Sequence, residues 1–291
     1  LEEKMEEEVH KKKASLISVV ILFLILILIT ILFIKKLEAP DINSESLSLV
    51  DTDSKEYIAS KKMEIDSYIS SLNELYGINV LYGEDTINYA NKVDATVETD
   101  LNIVNNNVKV LFHTLEKYPR GMFDVFKNKE YKMDVILLDS FTNNNLALAS
   151  KNNLKEIKLY VSNTDKFERA VHHELFHVFE YYMADKNKYV FEQWTNLNPS
   201  IFKYQSDVLK LDNNYVYLKD SNTDNWYFVT KYAKTSEKED RAETFAELMM
   251  LQKKPEYLES NTNIKKKADN IMSEMSKYLN VKNIYCDKFM K

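Results

Sequence analysis

Hydrophobic and polar positions follow a helical period in several parts of this chain, most clearly between Phe167 and Tyr182. Phe167, Val171, Leu175, Val178 and Tyr182 recur at spacings of three and four, which lays an apolar stripe along one side of a helix. The helix is expected from about Asp165, a side chain suited to an N-cap with Glu168 three residues on, to about Met183. His173 and His177 fall on the side of the cylinder away from the stripe.

The same reading places the other elements. Ile58, Met63, Ile65, Ile69, Leu72 and Leu75 predict a helix that ends at Gly77, followed by a short strand, Ile78 to Tyr82. A second helix is expected from about Asp100 to Lys117, stopped by Pro119-Arg120-Gly121. Two β-like runs follow, Tyr131 to Leu138 and Ile157 to Ser162; the second alternates Ile157, Leu159 and Val161 with Lys158 and Tyr160. Because that second run directly precedes the histidine helix, it is a candidate sheet edge along which an extended peptide adds as a further strand. Ser236 to Leu251 reads as a helix with Phe245, Leu248 and Met249 on one face and Glu239, Glu243 and Glu247 on another. After Pro255, Ile264 to Leu279 reads as an amphipathic helix with lysines on its polar face, packing on the back of the domain. The succession is α+β.

The front of the chain is different. Leu16 to Ile34 is almost all Leu, Ile, Val and Phe, with Ser18 and Thr30 as its polar residues, and as a helix it would be roughly 28 Å long, the thickness of a bilayer core. A cleaved signal peptide has a shorter apolar region that ends in small residues, whereas this run ends in Ile34-Lys35-Lys36. Lys11, Lys12 and Lys13 outnumber Lys35 and Lys36, which places the N-terminus inside and the bulk of the chain outside the cell; a cytoplasmic domain is the alternative. The expected organisation is a charged segment over residues 1–15, within which Met5 is a candidate start, a transmembrane helix over 16–34, a stalk over 35–54 containing Pro40, and a folded domain over 55–291.

Composition narrows the chemistry. With 291 residues, 45% hydrophobic and 29% charged, the chain can bury a substantial core. A net charge of -6 without a basic face argues against nucleic acid as a partner. The single cysteine, Cys286, excludes an intrachain disulfide and a thiolate metal cluster, and 3 glycines leave little room for a phosphate-binding loop. Trp194 and Trp226 fall in a long interval after the histidine helix and read as buried anchors or, alternatively, as ligand contacts.

His173-Glu174-Leu175-Phe176-His177 is an H-E-x-x-H pattern. Four residues apart on a helix, two imidazoles share a face and can grip one Zn²⁺, while the adjacent carboxylate, Glu174, can take the proton of an attacking water. That combination points to hydrolysis. A third histidine six residues after His177 would mark the metzincin arrangement, but Met183 stands there. Glu180 shares the helix with the histidines and so points to the cleft rim or to a role behind a ligand. The row Glu239, Glu243, Glu247 is the stronger source of a third ligand: three like charges on one face are either a solvated surface or the partners of a cation.

His173-Glu174-Leu175-Phe176-His177, followed by Tyr232, six residues, Glu239, two residues and Ala242-Glu243, resembles the zinc site of the anthrax lethal factor catalytic domain and of the secreted clostridial Pro-Pro endopeptidases. The resemblance implies a zincin-like fold and a zinc metallopeptidase of gluzincin type. It implies His173, His177 and Glu239 as ligands, Glu174 as general base, Tyr232 as oxyanion stabiliser and Glu243 as the carboxylate orienting a ligand histidine. It covers two motifs and their helices, not substrate-selecting loops, and the interval between His177 and Tyr232 is longer than in those relatives, so an inserted subdomain over the cleft is expected within Phe191 to Thr230. The resulting expectation is a zinc endopeptidase anchored in the cell membrane by a single span, acting on protein or peptide substrates outside. The alternatives are an inactive relative that binds peptides or proteins at the cell surface, and an anchored structural domain. All five expected side-chain types are present, and a binder has no need of Glu174 and Tyr232.

Overall fold

The computed structural model describes residues 54–206, 226–250 and 261–279. The chain divides into two units, Leu1–Asp51 and Thr52–Lys291, and every described residue belongs to the second. The expected transmembrane run Leu16 to Ile34 lies outside the described residues, as does the stalk up to residue 53. Among the described residues no helix is long and apolar enough to cross a membrane.

Helix α1, Lys55–Tyr76, is capped by the Ser54 hydroxyl, which accepts from Tyr57 N–H, and closes at Gly77 in the left-handed region at φ 69°. The glycine is required twice over, because a Cβ there would also lie 2.5 Å from the backbone nitrogen of Lys127. Strand β1, Ile78–Leu81, follows at once. After a one-turn helix at Ile87–Ala90 come β2, Ala95–Val97, and α2, Leu101–Leu115, whose N-cap Asp100 accepts from Asn102 N–H. Then come β3, Lys132–Phe141, β4, Ala147–Lys151, and β5, Glu156–Ser162. Helix α3, Phe167–Lys186, carries the histidines. Helices α4, Glu237–Met250, and α5, Thr262–Tyr278, follow among the described residues. The α+β expectation holds.

The five strands form one mixed sheet in the order β1-β3-β5-β4, with β2 also pairing β3. β3 runs parallel to β1 and β5, and β4 runs antiparallel to β5, Ala149 opposite Leu159. One face of the sheet, through Met133, Val135, Leu137, Ile157, Leu159 and Val161, joins the main core with α1, α2 and α3; the other carries Ile136, Leu138 and Tyr160 against Ala90 and Phe141. Because both faces of β5 are covered, its alternation separates two cores rather than core from solvent.

Four expectations need correction. β5 is not the sheet edge, because β4 pairs along its outer side; the edge is β4. Asp165 does not cap α3: the helix begins at Phe167 with Lys166 at the N-cap, and the side chain that meets a backbone N–H there is Thr164, at Lys166. Met63 is 74% exposed and lies outside the apolar stripe of α1. Lys267 of α5 is fully buried rather than on a polar face, since its Nζ donates to Asp240 and to the carbonyl of Tyr227. The stripe Phe167, Val171, Leu175, Val178 and Tyr182 is buried as its period predicts. In the expected insertion, residues 207–225 lie outside the described residues; Phe191, Trp194 and Phe228, on either side of them, are buried.

Candidate metal centre

Two helices build the site. α3 presents His173, Glu174 and His177, and α4 packs against it and brings Glu239 and Glu243. Residue 239 is fixed locally from both sides. The Ser236 hydroxyl accepts from Glu239 N–H at 3.1 Å, which starts the helix. The next side chain, Asp240, is fully buried and accepts from Trp194 Nε1, Tyr204 Oη and Lys267 Nζ. Trp194 is therefore an anchor of the α4 start, the first of the two roles its sequence position left open.

The ligating atoms of His173, His177 and Glu239 all lie within 4.8 Å of one another. His173 Nε2 is 3.0 Å and His177 Nε2 3.5 Å from Glu239 Oε2, and the two ring nitrogens are 3.2 Å apart. Behind His173, its Nδ1 faces Glu243 Oε1 at 2.8 Å, so a neutral ring that donates there turns its Nε2 lone pair to the centre. Glu243 Oε2 is in turn held by Arg169 Nη2 at 2.8 Å and Thr230 Oγ1 at 2.7 Å. Behind His177, Nδ1 lies 3.8 Å from Glu180 Oε2, whose other oxygen accepts from Arg241 Nε at 2.7 Å. Each imidazole thus has a carboxylate and an arginine in line behind it.

Charge and burial decide what fits between the three atoms. Burial pushes both imidazoles down, but Glu239 and Glu243 raise His173 to about 10, and Glu180 and Glu239 raise His177 to about 9. The surrounding carboxylates therefore favour positive charge at this point. Two protonated rings at 3.2 Å would repel each other; one divalent cation meets the same field without that conflict. Glu239 Oε2 is buried and faces only the two imidazole nitrogens, so when both rings are neutral it accepts no hydrogen bond and is an orphan atom that a cation would satisfy. Two imidazole nitrogens and a carboxylate oxygen are also a donor set that catalytic zinc takes, with a coordination position left open.

Around this centre stand two further groups. Glu174 is buried, and its Oε2 accepts Ala149 N–H of β4 at 2.6 Å, which fixes the carboxylate and leaves Oε1 for a water. Burial, opposed by the charges of His173 and His177, raises its pKa above the ordinary carboxylate value. Tyr232 lies in a short turn, Tyr232–Lys234, with its ring centroid 6.0 Å from that of His173 and 45% of its surface exposed. Burial, then the charges of Glu239 and Glu174, hold its phenol well above 10, so it keeps its proton and can donate.

The structure brings together all six residues expected at the site: His173, Glu174, His177, Tyr232, Glu239 and Glu243. Glu247, the third of the row, turns to Arg169 Nη1 at 2.8 Å instead. Sequence reasoning missed Arg169, Thr230, Arg241 and the edge strand β4. The signal for Arg169 was present, since it lies one turn before His173 on the same helix face. Nothing in the sequence pairs Arg241 with Glu180.

No family model matches the sequence, and no curated protein matches it. Among solved structures, the crystal structure of a candidate zinc-binding metallo-peptidase from Bacteroides caccae ATCC 43185 is similar over 79% of this chain and 92% of that one, at 17% sequence identity and a TM-score of 0.48. At that level of likeness, function rests on the residues themselves.

Proposed function

We propose that this chain is a zinc-dependent peptidase in which His173, His177 and Glu239 hold the metal. The observation that carries the reading is the convergence of their three ligating atoms, one of them a buried carboxylate oxygen without a hydrogen bond, beside a fixed Glu174. A zinc ion bound there supplies Lewis acidity, lowering the pKa of water toward neutrality and polarising a peptide carbonyl. The protein's own groups divide the remaining work. Glu174 takes the proton of the attacking water and passes it to the leaving amine. Tyr232, protonated and near His173, donates to the oxygen that gains negative charge. Glu243 holds the His173 imidazole in place and Glu180 stands as a counter-charge behind that of His177, with Arg169 and Arg241 fixing those carboxylates.

The substrate is a peptide or protein segment. Along β4, Leu146 O and Asn152 N bond toward β5, so by strand alternation the backbone groups of Ala147, Ala149 and Lys151 point away from it; Glu174 and Tyr181 take the N–H and the carbonyl of Ala149, which leaves those of Ala147 and Lys151, on either side, for a substrate. An extended segment pairing there passes the carboxylate, in the recurring mode of strand addition. Leu16 to Ile34, by length and apolarity, anchors the enzyme in the cell membrane with this domain outside.

Zinc content and proteolysis of the full chain test the activity: one zinc per chain and cleavage of unstructured peptides are expected, and a chain that binds zinc but cleaves no peptide would favour the peptide-binding alternative. The topology is tested separately by adding protease to intact cells with a permeable wall. Removal of the domain is expected; full protection would reverse the orientation.

A further inference from the structure

We infer that the peptidase selects substrates with an acidic side chain on the N-terminal side of the scissile bond, held in a lysine-lined pocket at the end of the edge strand. The inference rests on the peptidase reading and adds the class of substrate. β4 ends at Lys151, which lines a cavity of about 410 Å³ together with Tyr131, Asn153, Lys155, Asp185 and Lys186. Three cations and one carboxylate line it. Asp185 pairs with Lys151 and accepts from Tyr131 Oη, while Lys186 Nζ reaches out to Glu130 at 2.6 Å. Lys155 Nζ lies 5.0 Å over the Tyr131 ring and, among the described residues, has no carboxylate within ion-pair distance. The pocket therefore keeps an unbalanced positive charge suited to a carboxylate, on a wall stiffened by the Tyr131–Asp185–Lys151 contacts.

The geometry connects this pocket to the centre. α3 runs along β4, with Glu174 on Ala149 N–H, Tyr181 Oη on Ala149 O at 3.3 Å and Asp185 on Lys151. Asp185 is two helical turns beyond His177, about 12 Å along the axis at 1.5 Å per residue. An extended chain covers that span in about four residues. A segment paired antiparallel to β4, the commoner pairing, runs from the Lys151 end toward Ala147, so the residues reaching the pocket precede the scissile bond.

The test uses the full chain and a peptide that it cleaves, remade with Glu, Gln or Lys at each of the positions before the bond. About fivefold higher kcat/KM for Glu than for Gln is expected at one position near the fourth, as for an exposed ion pair. Lys155→Glu should move the preference at that position to Lys. Equal kcat/KM for the three peptides at every position would overturn the inference while leaving the peptidase reading intact. If no peptide is cleaved, the peptidase reading fails by itself, and fluorescence anisotropy of the Glu and Gln peptides on the full chain still reads the pocket. A Glu preference that is lost in Lys155→Glu supports it, and equal affinities overturn it.

Discussion

Glu243 receives the Nδ1 edge of His173 at 2.8 Å, whereas Glu239, one helical turn earlier, meets the Nε2 edge of the same ring at 3.0 Å. Two carboxylates on one helix face therefore take opposite sides of one imidazole. On the proposed zinc reading, that difference makes Glu239 the ligand and Glu243 the carboxylate that orients His173. Glu239→Ala is expected to empty the site at zinc concentrations that load the parent chain. Glu243→Ala should weaken zinc by about 10–100-fold while retaining it at saturation. Zinc titration of both folded variants checks this; if the Glu243 variant loses metal while the Glu239 variant stays loaded, the roles are reversed.

Glu174→Gln separates catalyst from binder. The amide oxygen can still accept Ala149 N–H, so fold and zinc content should match the parent, but the group can no longer take a proton from water. Turnover is expected to fall by about 10²–10⁴-fold. A variant that cleaves at the parent's rate would remove Glu174 from the mechanism.

Tyr232→Phe removes one hydroxyl from a ring that is 45% exposed, so stability should change little. A donor used at the developing oxyanion acts on kcat, and a loss of about 10²–10³-fold is expected with a much smaller change in KM. Equal changes in kcat and KM, or none, would place the phenol elsewhere in the reaction.

Much of this was legible in the sequence, for a physical reason. The helical period of α3, the αL glycine at its place after α1 and the i, i+4 histidines are local properties, written in residues that are neighbours along the chain. β4 was not legible: Ala147–Lys151 has neither β-branched residues nor a strong alternation, and it is a strand because β5 lies beside it. For the same reason the edge was assigned one strand too far inward. The partners behind the ligands are 61 to 74 residues apart in sequence, as Arg241 from Glu180 and Glu243 from Arg169, and no period connects them. Lys267 misled because a lysine on an amphipathic helix is ordinarily solvated, and its buried partner lies on another helix.

Acid should destabilise the metal-free chain through Glu243. Burial raises its pKa, but the bond to His173 and the charge of Arg169 outweigh it and bring the carboxyl to about 2 from an ordinary 4.5. A folded-state value below the unfolded one means that the contribution is present above about pH 4.5 and is lost as pH falls toward 2. Thermal unfolding of chelated protein should therefore show a falling Tm across that window, and Glu243→Gln should flatten this part of the profile. An unchanged acid limb in the variant would show that other carboxylates carry the effect.

The buried pair Asp240–Lys267 yields the last prediction. Both residues are fully buried, at 2.7 Å, and burial raises the Asp240 carboxyl and lowers the Lys267 ammonium, each against its charged form. Their attraction offsets a desolvation cost, so removing one partner is far worse than removing both. Lys267→Met leaves Asp240 with Trp194 and Tyr204 as donors and no counter-charge, and about 3–5 kcal/mol of destabilisation is expected. Asp240→Asn combined with Lys267→Met removes both charges, keeps an acceptor for Trp194 and Tyr204, and should recover a large part of that loss. Because Asp240 follows Glu239 directly, the single variant should also weaken zinc, and the double variant should restore it in step with stability. Denaturant unfolding and zinc titration of the two variants decide the matter: equal stability of single and double variants would mean that the lysine contributes packing rather than charge at this joint.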